Sequence, residues 1–436
     1  MEQLSKNISL ISKLKKYFFP FYKSKEIKAL FNILEKNTDR NSKVAMFVGG
    51  CVRKFLDDEF IDDIDIATVF SPEQLKDKFK DTSFKVIETG LEHGSITLIY
   101  NDQKFEITTL RKDIETDGRH AEVEFTDDWQ KDSERRDFSI NAIYMDKKGK
   151  IFDPQNGVED LRNKRIKFIG DPLKRIEEDY LRIIRFIRFS LKYKNLASDL
   201  NILKAIKLNL NGIKHLSKER ILNELYKIFL DHDLSILKKN VELRNIFQLI
   251  FPEFRYLERL EKFKNLVDKN LSKNPEFVFS ILLVGEDDNH EYFCHKYKTS
   301  NKLKNKLNFF SKYYKLFKEN KNFLKKDLKK NIYQIGKDNF RGLLYFIYYS
   351  EKNFSKKALD KNIDLVNSVK IPNFPFNGDI LMKKGITDGK KIGYALAELE
   401  KEWIEKDFNL KDQEASVIVD KIKKLEKTLN YMTILL

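Results

Sequence analysis

Hydrophobic and polar positions follow two different rhythms along this chain. Between about Lys43 and Asp153, short apolar or alternating runs predict strands at Val44–Val48, Asp63–Thr68, Ser95–Tyr100, Lys104–Leu110 and Ala142–Met145. Ser71 and Pro72 occupy the N-cap and first position of a helix within this region. Asp153-Pro154-Gln155-Asn156-Gly157 is a turn that closes it. Beyond Asp171-Pro172 apolar residues recur at helical spacing to about Ser350, and Pro252, Pro275 and Pro372 punctuate connections. Ile371–Gly393, with repeated Gly and Pro, reads as the main non-helical insert of the second half. An amphipathic helix over Ala395–Phe408 follows, and another ends the chain. The pattern predicts an α+β protein: a mixed-sheet head, then an almost wholly helical remainder. Met1–Lys25 carries neither a long apolar block nor a small-residue cleavage site, so it predicts a helix rather than a signal peptide.

Length and composition narrow the picture. A chain of 436 residues accommodates two to four domains. No stretch of 18 apolar residues occurs, which argues against a membrane span. Two cysteines, Cys51 and Cys294, argue against a disulfide framework or Cys-based zinc site and fit a reducing, cytoplasmic setting. No feature calls for an obligate protein partner. The formal net charge of +16 implies a polyanionic partner, most simply nucleic acid. A composition biased towards Lys, Asn, Ile and Phe gives the same surplus for another reason, so arginine is more telling. Only 17 of the 83 basic residues are Arg; ten fall between Arg111 and Arg188, and none follows Arg341. Where Lys is used so freely, Arg marks positions that need a planar fork of donors, as phosphate and base edges do.

Two short segments carry the sharpest chemistry. Val44–Val48 leads into Gly49-Gly50-Cys51-Val52-Arg53, where glycines let backbone N–H groups approach a phosphate and Arg53 adds charge. Ten residues later, Asp63-Ile64-Asp65-Ile66 places two carboxylates on one face of a predicted strand. Side by side they repel unless a cation lies between them, and Mg²⁺ takes such ligands together with substrate phosphates. A solvated strand edge explains either segment taken alone. Glu106, on another predicted strand, is a candidate third carboxylate, or simply an exposed one. Arg111–Phe125, around Asp117-Gly118-Arg119, reads as a flexible loop.

Arg135-Arg136-Asp137 with Asn141 offers a triphosphate clamp and a ribose contact, or a local surface ion pair. Glu178–Arg188 reads as one helix with Asp179 and Arg182 adjacent on a face. Such an acceptor beside a donor fork fits the Watson–Crick edges of C and A, whereas G and U present the reverse pattern. The bland alternative is a helical ion pair. Arg185 and Arg188 drift round the helix, towards phosphates or a second strand. A metal phosphohydrolase built on His232-Asp233 lacks the upstream His and downstream Asp it requires.

Taken in order, these motifs resemble the class II tRNA nucleotidyltransferase and bacterial poly(A) polymerase family. The glycine turn and Asp-x-Asp layout is that of the polymerase-beta-like nucleotidyltransferases. Glu88-Thr89-Gly90-Leu91-Glu92-His93-Gly94-Ser95, Glu106-Ile107-Thr108-Thr109, Arg135–Ala142, Asp153–Gly157 and Glu178–Arg182 continue the likeness. Ser217–Ile221 with Glu224-Leu225 resembles the family's bracing motif.

The resemblance implies a seahorse-like molecule with a head at residues 1–165, a base-reading neck at 166–235, a body at 236–370 and a tRNA-binding tail at 371–436. It implies Mg²⁺ at Asp63 and Asp65, catalysis by these with Glu106, and nucleotide contacts from Gly49, Gly50, Arg53, Arg136, Asp137, Asn141, Asp179, Arg182, Arg185 and Arg188. The implied partners are tRNA, CTP and ATP, and the implied reaction is CCA addition. Poly(A) synthesis and CC-only addition are the rivals within the family, and non-catalytic RNA binding is the rival outside it. Gly378 to Trp403 resembles the tail of alphaproteobacterial members, with Gly389-Lys390 where relatives often have Gly-Pro.

Overall fold

The computed structural model describes residues 20–39, 43–88, 90–91, 94–116, 121–194, 199–231, 234, 236–265, 271 and 274–434. Most of the expected N-terminal helix, and Thr89, Glu92, His93, Asp117-Gly118-Arg119 and His232-Asp233, lie outside them. The chain forms two compact units: residues up to Val278 with Phe293–Ser300, and Phe279–Tyr292 with Asn301 onwards.

The first unit holds a seven-stranded mixed sheet. Its strands are β1 (Ala45–Val48), β2 (Ile64–Thr68), β3 (Lys85–Ile87), β4 (Ser95–Tyr100), β5 (Gln103–Thr109), β8 (Tyr144–Met145) and β9 (Ile151–Phe152). They lie in the order β3-β4-β5-β2-β1-β8-β9. Only the central β2–β5 pair is parallel. The alternating apolar residues of β2 and β5, Ile64, Ile66, Phe105 and Ile107, are buried. That burial fixes the register, because a one-residue slip would carry each of them to the opposite face. The register sets Asp65 opposite Glu106.

Within Arg111–Phe125, expected as a loop, the described residues form two antiparallel strands, β6 (Arg111–Thr116) and β7 (Ala121–Phe125). Their alternation of charged and small or apolar residues suits a ribbon as well as a loop, and polarity alone hid the pairing. The expected strand at Ala142–Met145 is shorter than predicted, because Ser139–Asn141 winds into a 3₁₀ turn first.

The rest of this unit is helical. Glu178–Arg188 is not one helix. Pro172–Glu178 ends at Asp179, whose backbone is extended (φ −154°, ψ 103°), and a new helix runs over Leu181–Tyr193. Asp179 accepts from the Leu181 amide at 3.1 Å, meeting one of the free N–H groups of the second helix.

In the second unit Ile371–Gly393 is not a non-helical insert. It contains a helix at Gly378–Lys383 and the start of another, Gly389–Glu405. Gly378 and Gly389 stand at helix starts, where caps offset their low helical propensity: Asn377 caps the first helix and Asp388 the second. Lys390 donates its amide to Asp388 at 2.9 Å, a bond that proline there could not make. Leu381, Ala395, Leu399, Ala415 and Val419 form the local core. Most Phe and Tyr side chains in the helical half are core residues, including Phe247, Phe254, Phe310 and Phe346.

Candidate active site

A cleft of about 1170 Å³ opens in the first unit, and it gathers every expected site residue except Glu106. Gly49 holds the turn between β1 and the helix Gly50–Leu56 at φ +71°, a conformation that favours glycine. A Cβ there would stand 3.8 Å from Asp65 Oδ2 and 3.9 Å from Arg136 Nη1. The missing side chain therefore leaves the space between carboxylate and guanidinium open.

Asp63 lies just before β2 and is exposed, while Asp65 lies within β2 and is half-buried. Both line the cleft. Burial pushes Asp65 up to about 6, helped by the negative charges of Glu106 and Asp63 and opposed by Arg136 and Arg53. Negative charge is thus concentrated where a cation would relieve it. Glu106 is exposed, in register with Asp65, and outside the cleft lining. Among the described residues no cluster of three or more His, Cys, Asp or Glu forms a ready-made metal cage.

Arginines make up another wall of the cleft. Arg53 is buried, bonds Asn141 Oδ1 through Nη1, and stacks 4.7 Å from the Phe189 ring centre. Its Nε is buried without a hydrogen-bond partner. Arg188 lies 4.3 Å over the same ring and donates to Glu224 at 2.6 Å. Burial lowers Arg188 to about 10, partly offset by Glu224, with Arg185 and Arg53 adding repulsion. These crowded cations favour an anionic ligand.

Asp137 holds this wall together. It accepts from Arg185 Nε at 2.7 Å and Asn141 Nδ2 at 2.9 Å. Burial would raise its pKa, but Arg185 and these hydrogen bonds bring it to about 2. Asp137 and Asn141 thus hold Arg185 and Arg53 in place.

Arg136 is held by Asp132 and Tyr144, neither of which stood out in the sequence. Arg136 Nη2 donates to Asp132 Oδ2 at 3.0 Å, Tyr144 donates to the same oxygen at 2.6 Å, and Arg135 takes Oδ1 at 2.8 Å. Despite burial, the two arginines hold Asp132 far below the usual carboxylate range. The only sequence signal was an acid three and four residues before two arginines, which is also the pattern of an ordinary helix.

The expected side-by-side pair of Asp179 and Arg182 is not formed. Asp179 Oδ2 accepts from Arg220 Nη2 at 2.7 Å, and Arg182 donates to Glu178 Oε2 and the Arg175 carbonyl, both at 2.6 Å. The break at Asp179 removes the helical spacing that the pairing assumed. Asp179, Arg182 and Arg220 nevertheless all line the cleft. Arg220 and Glu224 belong to the helix Lys218–Asp231, in the segment expected to brace this region. Gly212 admits the neighbouring Tyr180 ring, for a Cβ there would fall 2.1 Å from it.

Residues 45–167 match the family model described as the poly A polymerase head domain. Residues 273–418 match tRNA nucleotidyltransferase domain 2. The human protein named "CCA tRNA nucleotidyltransferase 1, mitochondrial" is 33% identical over 413 residues, covering 92% of this chain and 93% of its own. The chain belongs to the CCA tRNA nucleotidyltransferase family. The Bacillus stearothermophilus CCA-adding enzyme, solved in complex with CTP, matches with a TM-score of 0.67 at 21% identity, covering 93% of this chain and all of that one. The Thermotoga maritima CCA-adding enzyme, solved with tRNA, matches with a TM-score of 0.60 at 21% identity, covering 93% and 96%. These two likenesses carry the fold. The nucleotidyltransferase head of this family is thus the mixed sheet that presents Asp65 and Glu106. No described helix is long and apolar enough to cross a membrane.

Proposed function

We propose that this protein adds C, C and A to the 3′ end of tRNA, using CTP and ATP and releasing pyrophosphate without a template. The observation that carries this reading is one cleft lined by an Asp-x-Asp pair, several arginines and the set Asp179, Arg182 and Arg220.

Mg²⁺ fits the donor set, with Asp63 and Asp65 as its holders. The excess negative charge at Asp65 favours a cation, and Mg²⁺ commonly takes one or two carboxylates with the rest of its shell from phosphates and water. When bound it would polarise the attacking hydroxyl and neutralise the leaving pyrophosphate. Glu106 strengthens the negative field at Asp65.

The open turn at Gly49 and Gly50 admits the triphosphate, with Arg53 and Arg136 as its cationic contacts. Arg185 and Arg188 extend that field, and Asp137 and Asn141 hold the guanidiniums in place. Preorganised charge of this kind stabilises the negative charge that develops on the phosphates. Asp179 accepts from the amino group of C or A, and Arg182 donates to the ring acceptors. Arg220 fixes Asp179 for that task. The two buried cysteines form no disulfide, which supports a cytoplasmic setting.

The test is incorporation by the purified protein with MgCl₂ on tRNA transcripts lacking the 3′ end or ending in CC, given CTP, ATP or both. Stopping after A supports the proposal. A long A ladder, a halt at CC, or no addition would each replace it, with poly(A) synthesis, CC addition or RNA binding respectively.

A further inference from the structure

Phe60 is 85% exposed, yet it lines the cleft described above. Phe189, the other aromatic residue of the lining, is 1% exposed and already lies beneath arginines. The segment that presents Phe60 is fastened on both sides. Tyr193 donates to Asp57 Oδ2 at 2.6 Å, and Lys192 pairs with Glu59 at 2.6 Å. The Glu59 amide donates to the Lys54 carbonyl at 2.9 Å, and the Lys54 ammonium binds Asp62. Asp58 takes a left-handed conformation, φ +58°, to make the turn. Three residues beyond Phe60 the chain reaches Asp63.

We propose that Phe60 is a stacking platform for the terminal base of the RNA whose 3′-hydroxyl is extended. The inference rests on the proposed reaction. Two ligands meet in such a cleft, and their surroundings differ. A triphosphate among buried guanidiniums is enclosed, whereas RNA must project into solvent. An aromatic face that is itself in solvent, and close in sequence to the carboxylates, suits the second. Every base offers a π-face, so one ring serves an end that changes from one base to the next as it grows. The acids flanking Phe60 disfavour phosphate beside it and leave stacking as the attractive contact. Phe60 is therefore a positioning residue for the RNA.

The test uses the full chain and a tRNA transcript carrying 2-aminopurine as its last base. Fluorescence quenching on binding, read without nucleotide, reports stacking independently of chemistry. Wild-type protein and Phe60→Trp should quench, and Phe60→Ala and Phe60→Leu should not. In CCA addition, Phe60→Ala should raise the KM for tRNA by roughly 5- to 100-fold, the range given by loss of one base–aromatic stack. The KM for CTP should hold, and Phe60→Trp should restore the tRNA value. A side chain so exposed leaves the melting temperature unchanged. Quenching that survives in Phe60→Ala, or a Phe60→Leu variant equal to Phe60→Trp, overturns the proposal. If wild-type protein quenches yet adds no nucleotide, the proposed reaction fails and the stacking stands.

Discussion

Asp179 and Arg220, 41 residues apart in sequence, meet through a 2.7 Å hydrogen bond from the guanidinium to Oδ2. Arg182, only three residues from Asp179, turns to Glu178. The side chain proposed to select the base therefore sits between two helices and is held by a third, Lys218–Asp231. Replacing Asp179 by Ala should lower discrimination of CTP over UTP by roughly 10- to 100-fold, the scale of one lost charged hydrogen bond. Arg220→Ala should produce a smaller loss in the same direction, since Asp179 remains but is free to turn. Single-turnover kinetics with each nucleotide checks both. Triphosphate affinity should stay nearly constant, and unchanged discrimination would remove Asp179 from base selection.

Gly212 controls the same corner through Tyr180. A Cβ at Gly212 would lie 2.1 Å from that ring, so Gly212→Ala must displace Tyr180 beside Asp179. Overpacking of this kind costs about 1–3 kcal/mol. Chemical denaturation should show that loss, accompanied by weaker CTP discrimination. A fully stable variant with normal discrimination would mean that the corner relaxes freely.

Asp137 gives a pH signature. Its folded pKa of about 2 lies below an unfolded value of about 4, so its contribution is present above pH 4 and is lost as pH falls towards 2. The difference corresponds to roughly 3 kcal/mol. The stability gap between wild type and Asp137→Asn should therefore be full at pH 5 and narrower at pH 3, as read by urea unfolding. A gap that does not change with pH would show that the Arg185 pairing leaves no net mark on stability.

Cys51 should be inert. Its thiol is buried and pushed up to about 12, by burial first and then by the charge of Asp65. In a Cys294→Ser background, a disulfide reagent should modify no thiol in the native protein within minutes and one after unfolding, because the thiolate is the reactive form. Rapid native labelling would show that the helix Gly50–Leu56 opens readily.

The sequence made the central strands, the glycine turn and the change to helices legible, because each rests on local periodicity or backbone freedom. Asp63, Asp65, Arg53 and Arg136 come together in the cleft as expected. Long-range partners were not legible. Asp132 beneath Arg136, Glu224 behind Arg188 and Arg220 on Asp179 depend on how separate elements meet. Asp179 shows why: its helical spacing to Arg182 was correct on paper, but a single extended residue broke the helix. The pairing of β6 with β7 was missed because their polarity looked like a loop, and the tail helices because their glycines looked like breaks.

A tRNA transcript lacking its last three nucleotides is incubated with the protein, MgCl₂, CTP and ATP together, and the products are sequenced at single-nucleotide resolution. Three additions, C, C and then A, followed by a stop, are expected, with loss of all addition in Asp65→Asn while the fold stays intact. Extension beyond A, arrest before it, or full activity in Asp65→Asn would contradict the proposed reaction.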